Sequence, residues 1–514
     1  MADDVAQQIA AGYAIEGRAL ELGALVLDGQ AHPEARIRMP LSMLNRHGLI
    51  AGATGTGKTK TMQLMAEQLS AAGVPVFLAD IKGDVSGMAA PGQESDRVRE
   101  RATDTATDWA PEAFPVEFLN LGGLGTGAAC RATITGFGPV LLSKVLNLNK
   151  TQESSLGLIF AYADRNDLAL LDLKDLRAVI RHLTSDEGKA ALKELGGISP
   201  ATAGVILREV TTLENQGGDV FFGEPEFEPA DLLRQAPDGR GVLSILSLQQ
   251  VQDRPRLFST FLIWLLAELF EDLPEEGDLD KPKLVFFFEE AHLLFNDASE
   301  AFLEAITQTV RLIRSKGVGV FFLTQTPKDI PADVLAQLSN RVQHALRAFT
   351  PDDAKALKAT ASTFPRSEAY DVQELLTTMG TGEAAVTIMS ERGAPTPLAW
   401  TRMRPPRSLM DELDPAERER LIAASALATK YGAPLDRESA YERLAARVAS
   451  AQAAAEADAT RSETTSTRTP APRAQQAPRD ESLLDNPAVR SLARSAFTAA
   501  GRELMRSMLG TRRR

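Results

Sequence analysis

Gly52-Ala53-Thr54-Gly55-Thr56-Gly57-Lys58-Thr59 is the stretch that decides the fold of this chain. It matches the P-loop pattern G-x-x-x-x-G-K-[ST], whose glycines let backbone N–H groups close around a β-phosphate. Lys58 would neutralise charge on the β- and γ-phosphates, and the Thr59 hydroxyl can ligate Mg²⁺. The pattern therefore predicts a site for a nucleoside triphosphate. The residues predicted to bind it are Ala53, Thr54, Gly55, Thr56, Gly57, Lys58, Thr59 and Lys60.

The sequence on either side of the P-loop supports the same prediction. Residues 47–51 form a short, mostly apolar run, and residues 59–69 have the apolar spacing of a helix. Strand, glycine-rich turn and helix follow one another in this order in phosphate-binding folds. A bound phosphate would then lie at the helix N-terminus, where the helix dipole and the free N–H groups favour an anion.

Length and composition bound the class of protein. The chain has 514 residues and 44% hydrophobic residues, which is enough for roughly two to four domains. The longest strongly apolar run, 258–270, is interrupted by polar residues and is too short to span a bilayer. The N-terminus carries Asp3 and Asp4 and lacks the hydrophobic core of an export signal. We therefore expect a cytoplasmic protein with no transmembrane segment.

Cysteine content and charge exclude further classes. Cys130 is the only cysteine, so the chain can form neither an internal disulfide nor a cysteine-based metal site. The net charge of −13 argues against a general nucleic-acid coat, although a small basic surface lining a pore would not show in this sum. Charge therefore neither requires nor excludes DNA as a partner.

Strands alternate with helices along much of the chain, which predicts a doubly wound α/β core. After the P-loop helix, the predicted strands are 74–80, 116–121, 131–135, 241–248, 283–288 and 319–324. The predicted organisation is a small β-rich N-terminal segment (1–40), the first part of the core (41–138), a helical insertion (139–238), the second part of the core (239–408), a helical extension (409–449), a disordered linker (450–485) and a basic amphipathic helix (486–514).

The predicted basic helix stands out by its charge. Residues 486–514 carry seven arginines against a single acid, Glu503. Such a helix can dock on a partner subunit, on nucleic acid or on an acidic membrane surface. It can equally be a packing helix with a solvated basic face, and the sequence leaves both alternatives open.

A pair of carboxylates marks the second half of the predicted nucleotide site. Glu289 and Glu290 directly follow the apolar run 284–288. Burying two carboxylates there is costly without a cation, and P-loop ATPases need an acid for Mg²⁺ and usually a neighbouring acid that orients the attacking water. We therefore assign Glu289, together with Thr59, to the metal. Glu290 is assigned to water activation and, together with Lys58, is a predicted catalytic residue.

Five further polar residues are candidates for nucleotide sites, two of them in this chain's own site and three in that of a neighbouring subunit. Gln325 follows the predicted strand 319–324 and either senses the γ-phosphate or caps a turn. Asp80 ends the predicted strand 74–80 and either faces the nucleotide or starts a turn. Arg314 and Arg341, with Arg311, either reach a nucleotide held by a neighbouring subunit or are surface or salt-bridge arginines. An arginine supplied in trans would couple hydrolysis to assembly.

These motifs resemble those of the HerA/FtsK-type P-loop ATPases, most closely the bacterial YjgR-type HerA-like helicase-domain proteins. The resemblance covers about residues 17–407. It rests on the order and separation of several motifs, which a P-loop alone would not provide. The motifs lie in 47–59, 80–84, 138–146, 284–295 and 317–325.

The resemblance implies a RecA-like ATPase core, hexameric rings and hydrolysis of ATP with Mg²⁺, and DNA translocation in the better-known relatives. One departure concerns the metal site, because the family usually has Asp-Glu where this chain has Glu289-Glu290. The leading hypothesis is a ring-forming, Mg²⁺-dependent ATPase motor that acts on DNA. The alternative is a nucleotide-dependent switch or assembly ATPase that does not move on DNA.

Overall fold

Continuous apolar runs form the central strands of this protein, because a parallel strand is covered on both faces and must be apolar on both. The run Leu284–Phe288 is the clearest case, since all five of its residues are buried. Phe287 packs against Phe321 of the neighbouring strand with ring centroids 5.3 Å apart. The structure, a computed structural model, describes residues 2–194, 196–277, 279–295 and 300–465.

Twelve strands and eighteen α-helices lie in this described part of the chain. The strands are β1 Ala19–Leu27, β2 Gln30–Pro40, β3 Gly48–Ala51, β4 Val76–Asp80, β5 Val116–Leu121, β6 Ala128–Cys130, β7 Leu243–Ser247, β8 Leu284–Phe288, β9 Val318–Thr324, β10 Asn340–His344, β11 Glu383–Thr387 and β12 Ala399–Met403. The helices are α1 Ala2–Ala11, α2 Lys58–Ala71, α3 Asp96–Asp104, α4 Ile134–Val145, α5 Lys150–Arg165, α6 Leu173–Thr184, α7 Lys189–Glu194, α8 Pro200–Leu213, α9 Asp219–Phe221, α10 Pro255–Asp272, α11 His292–Phe295, α12 Glu300–Ile313, α13 Ala332–Leu335, α14 Pro351–Ala361, α15 Val372–Thr378, α16 Pro415–Ala423, α17 Ala426–Tyr431 and α18 Ala440–Thr465.

The strands form one sheet in the order β2-β1-β12-β11-β10-β3-β9-β8-β4-β7-β5-β6. All pairs from β10 to β6 are parallel, and the remaining pairs are antiparallel. The adjacent strands β3, β9, β8 and β4 therefore end at one edge of the sheet. The P-loop, Gln325, Glu289 and Asp80 follow or end these four strands, so the topology brings the predicted site residues to the same edge. In open parallel sheets this edge is where ligands bind.

The contacts within the chain divide it into two units. Among the described residues, the sheet unit lies within 2–132 and 215–434, and the second unit lies within 133–214 and 435–465. Residues 215–238, which the sequence analysis placed in the helical insertion, group with the sheet. Aromatic contacts explain this assignment, since Phe221 packs edge-on against Trp264 and Phe227 lies 5.1 Å from the Tyr431 ring.

Two local predictions differ from the structure. Residues 131–135 are not a strand, because Thr133 caps α4 by accepting a hydrogen bond from the Gly136 N–H at 2.9 Å. The linker predicted from residue 450 begins as helix, since α18 continues to Thr465. Its sequence there is rich in alanine and contains no glycine or proline, which favours a helix. The rest of that linker and the predicted basic helix (486–514) lie outside the described residues.

The β-rich N-terminal segment joins the main sheet. Strand β1 pairs antiparallel with β12, so the first strands extend the sheet at one side. Helix α1 and the strands β10 to β12 were not predicted from the sequence. Among the described residues, no helix has both the length and the apolar character needed to cross a membrane.

Candidate nucleotide and metal site

The P-loop connects the end of β3 to the start of α2 and depends on glycine at two positions. Gly57 has φ 110° and Gly52 has φ 152°, which side-chain-bearing residues rarely adopt. A Cβ atom on Gly52 would lie only 2.5 Å from the Cβ of His344. The loop can therefore follow this path only with the glycines that the motif specifies.

Lys58 folds back over the P-loop. Its Nζ donates to the carbonyl oxygens of Gly52 at 2.7 Å and Ala53 at 3.2 Å. Burial lowers the pKa of Lys58, and Glu290 partly opposes this by favouring the charged form. The ammonium thus rests on neutral carbonyl oxygens, acceptors that an anionic phosphate would outcompete.

Three carboxylates converge beside the P-loop. Oxygen atoms of Asp80, Asp84 and Glu289 all lie within 4.8 Å of one another. Thr59 Oγ1 donates to Glu289 Oε1 at 2.8 Å, which joins the P-loop to this acidic cluster. Glu289 Oε2 and Asp84 Oδ1 are buried with no hydrogen-bond partner. Since hard oxygen atoms are the ligands that Mg²⁺ takes in proteins, these residues fit a divalent cation.

The electrostatics of the cluster agree with a cation site. Burial raises the pKa of Glu289 to about 7, and the neighbouring Asp84 and Asp80 add to this effect. Burial likewise raises the pKa of Asp80 to about 6, although its Oδ1 accepts a hydrogen bond from the Gly83 N–H at 2.7 Å. Asp80 thus both starts a turn and faces the cluster. A divalent cation would remove the mutual repulsion that raises both pKa values.

Glu290 has a different environment from its neighbour Glu289. Its backbone adopts φ 45°, an unusual value for a residue with a side chain, at a typical cost of about 1–3 kcal/mol. Lys82 Nζ lies 2.7 Å from Glu290 Oε1, and His292 Nδ1 lies 3.4 Å from Oε2. Burial would raise the pKa of Glu290, but Lys82 outweighs it and holds the pKa below the usual value. Glu290 is therefore an ionised carboxylate in a strained turn.

The buried His344 links strand β11 to α2, the helix that follows the P-loop. Nδ1 of His344 lies 2.8 Å from the Glu383 carbonyl oxygen, and Nε2 lies 3.0 Å from Thr61 Oγ1. Burial lowers the pKa of His344 to about 4, so the ring is neutral near pH 7. Because a carbonyl can only accept, Nδ1 carries the proton and Nε2 accepts from the Thr61 hydroxyl. Gly382, which precedes Glu383 in the chain, donates its N–H to the Thr56 carbonyl oxygen of the P-loop at 2.9 Å.

A segment spanning residues 407–410 fixes the outer side of α2. The buried Glu67 carboxylate accepts from the N–H groups of Arg407 at 2.8 Å and Ser408 at 2.9 Å. The Lys60 ammonium donates to the Met410 carbonyl. The Lys60 side chain is thus engaged away from the P-loop, so only its backbone remains for the predicted nucleotide contact.

The other predicted residues divide between the two edges of the sheet. Gln325 is exposed at the carboxyl end of β9, next to Thr324, whose carbonyl accepts from the Gly52 N–H at 3.2 Å. Arg311 and Arg314 precede β9 and Arg341 lies near the start of β10, so all three belong to the opposite edge. Arg341 Nη1 donates to Thr363 Oγ1 at 3.1 Å. The chain therefore does not bring these arginines to its own P-loop.

Four residues at the site were not identified from the sequence. Asp84 joins the acidic cluster, Lys82 pairs with Glu290, His344 supports the P-loop, and Arg101 donates to the carbonyl of Gly382 at 2.9 Å. For Asp84 and Lys82 a signal existed, because charged residues flank a glycine directly after a strand that ends in Asp80. His344 and Arg101 have no such local signal.

Comparisons with known proteins agree with this geometry. The family model described as "Helicase HerA-like C-terminal" matches residues 26–514. The DNA double-strand break repair helicase HerA of Sulfurisphaera tokodaii is 21% identical over 359 residues, which is 69% of this chain and 64% of that protein. A probable helicase of Methanocaldococcus jannaschii is 29% identical over 154 residues, or 28% of each chain. This chain thus spans slightly less than two thirds of the HerA relative.

Solved structures share the fold. The plasmid coupling protein TrwB in complex with a non-hydrolysable ATP analogue has a TM-score of 0.52 at 16% identity, covering 78% of this chain and 98% of that one. TrwB in complex with ADP and Mg²⁺ has a TM-score of 0.50 at 15% identity, covering 77% of this chain and 98% of that one. The likeness confirms the predicted α/β class with its P-loop core.

Proposed function

This chain belongs to the helicase HerA-like C-terminal family, and from that premise we propose that it is a Mg²⁺-dependent ATPase that works as a ring-forming motor on DNA in the cytoplasm. Family membership confirms the resemblance inferred from the motifs. The observation that carries the proposal is the hydrogen bond from Thr59 to Glu289, because it links a triphosphate-binding loop directly to a carboxylate cluster.

The proposed mechanism assigns each residue a separate task. The P-loop N–H groups and Lys58 bind the phosphates, while Thr59, Glu289, Asp80 and Asp84 would hold Mg²⁺. Bound Mg²⁺ would neutralise charge that develops on the phosphate oxygens. This set of acids offers more oxygen ligands than Glu289 alone, which compensates for the extra methylene of Glu289 relative to the usual Asp.

Glu290 is the proposed base. Its Oε1 is held by Lys82, whereas its Oε2 makes no hydrogen bond, with His292 Nδ1 3.4 Å away, and can accept a proton from the attacking water. The water oxygen forms a bond to the γ-phosphorus as the bond to the ADP oxygen breaks. Gln325 is exposed at the same edge of the sheet, and we assign it to hold that water or the γ-phosphate.

A ring would complete the site. In a head-to-tail ring, a residue that serves the neighbouring subunit lies on a different surface from the P-loop. Arg314 and Arg341, at the opposite edge of the sheet, are compatible with this arrangement. We propose a homo-hexamer in which one of these arginines reaches the neighbour's nucleotide. The basic helix predicted at 486–514 remains a candidate contact for DNA, a partner protein or an acidic surface.

Two variants test the ATPase. Lys58→Ala should abolish ATP binding, and Glu290→Gln should keep binding but stop turnover, measured by equilibrium binding and phosphate release. Retained turnover in Glu290→Gln would refute the role of Glu290. Mass measurement with and without ATP and Mg²⁺ tests the ring, since a monomer under both conditions removes any arginine acting in trans.

DNA distinguishes the motor from the alternative. A motor should hydrolyse ATP faster with duplex DNA, and this stimulation should collapse at higher salt because phosphate contacts are screened. Turnover that is indifferent to DNA would instead favour a nucleotide-dependent switch.

A further inference from the structure

The Lys82–Glu290 ion pair lies at the centre of the proposed hydrolytic site. Lys82 Nζ and Glu290 Oε1 are 2.7 Å apart. The Lys82 side chain is 45% exposed, whereas that of Glu290 is only 11% exposed. One member of the pair is thus fixed in the protein, and the other has room to move.

The backbone of Lys82 is held firmly, so movement is confined to its side chain. The Lys82 carbonyl accepts a hydrogen bond from Gln249 Nε2 at 2.7 Å, and the preceding Ile81 carbonyl accepts one from Gln252 Nε2 at 2.6 Å. The following Gly83 donates to Asp80 at 2.7 Å. A backbone held by hydrogen bonds, carrying a partly exposed ammonium beside the carboxylate cluster, suits a side chain with two alternative partners.

Both lysines of the site rest on protein oxygen atoms. Lys58 contacts the carbonyls of Gly52 and Ala53, and Lys82 contacts Glu290. A terminal phosphate carries about two negative charges and three acceptor oxygens, more than a single carboxylate offers. The same displacement that moves Lys58 onto a phosphate therefore applies to Lys82.

We propose that Lys82 is a second phosphate-binding lysine, which moves from Glu290 to the γ-phosphate when ATP binds. This inference rests on the proposed ATPase function. While no triphosphate is bound, the ammonium holds Glu290 Oε1, and only Oε2 is left for water. ATP removes the ammonium and so frees the carboxylate in the same event, whereas ADP, which lacks the γ-phosphate, leaves the pair intact.

The test uses the full chain with Lys82→Met, which removes the charge and keeps the apolar stem, and Lys82→Arg, which keeps the charge. The affinities for a non-hydrolysable ATP analogue and for ADP are measured with Mg²⁺, together with kcat. In Lys82→Met, we expect the affinity for the analogue to fall by about tenfold or more, as for loss of a charge-assisted hydrogen bond, with the ADP affinity nearly unchanged. The kcat should fall, and Lys82→Arg should recover the preference for the analogue.

Lys355→Met is the matched control. It removes an exposed lysine that pairs with Asp352 at 3.4 Å on α14, and it should change neither affinity. An unchanged ratio of analogue to ADP affinity in Lys82→Met would overturn the proposal, whatever happens to kcat. A wild-type chain that binds no ATP would overturn the proposed function and this inference together, whereas the first outcome leaves the ATPase standing.

Discussion

Glu289 and Glu290 are adjacent in the chain, yet replacing each by glutamine should change stability in opposite directions. The pKa of Glu289 is raised from 4.5 to about 7 in the folded state. Its ionised form therefore lowers the free energy of unfolding by about 3 kcal/mol. Glu289→Gln removes this charge and keeps the Oε1 acceptor for Thr59. Since the buried glutamine amide keeps part of the desolvation cost, we expect the variant to be more stable than the wild type by about 2 kcal/mol at about pH 8 without metal and nucleotide.

The dependence on pH gives this prediction its sign. Because the folded-state pKa of Glu289 lies above its unfolded value of 4.5, the cost is absent at lower pH, grows as the pH rises to about 7 and is constant above it. The advantage of Glu289→Gln should therefore be constant above about pH 7 and shrink between about pH 7 and about pH 5. Calorimetry or urea unfolding in EDTA measures it.

Glu290→Gln is the internal control. The pKa of Glu290 is lowered in the folded state because Lys82 outweighs burial, so neutralising it should decrease stability. The loss should be only about 1 kcal/mol or less, since Lys82 is 45% exposed and solvent screens the pair. A Glu289→Gln variant that unfolds as easily as the wild type at about pH 8, or two variants that shift in the same direction, would refute this account of the cluster.

Two further variants address the loop and the cluster. Gly52→Ala should abolish ATP binding while the chain stays folded by circular dichroism, because its Cβ would lie 2.5 Å from the Cβ of His344. Wild-type ATP affinity in this variant would contradict the tight packing. Gly55→Ala, whose Cβ would meet no atom within 4 Å, separates the effect of crowding from that of backbone strain. Asp84→Asn removes one charge from the acidic cluster, so Mg²⁺ should raise its thermal unfolding temperature less than that of the wild type. An unchanged response to Mg²⁺ would exclude Asp84 as a ligand. Asp352→Asn on α14 is the control.

The sequence predicted those parts of the site whose signal is contiguous. A glycine-rich loop after an apolar strand, and two acids after Phe288, each show their chemistry within a few residues. The edge of the sheet at which they meet follows from parallel strand order. The motifs themselves and the edge at which they meet therefore follow from local patterns and general topology.

Contacts between distant residues could not be read in this way. Strand β10 shows why, because Asn340, Gln343 and His344 are polar and yet buried. Asn340 Nδ2 donates to the carbonyls of Met43 at 3.0 Å and His47 at 2.9 Å, partners that no pattern in β10 indicates. A strand whose polar groups are satisfied across the sheet lacks the apolar pattern on which strand prediction relies.

The tie between α2 and residues 407–410 has a consequence for biosynthesis. Glu67 bonds to Arg407, which lies 340 residues later in the chain. At about 5–20 residues per second, a ribosome needs on the order of tens of seconds to cover that distance. Until then the buried carboxylate of Glu67 lacks its partners, and the helix that carries Lys58 lacks its outer support. A nascent chain thus displays the nucleotide motif on the order of tens of seconds before the segment that supports the P-loop helix has been made.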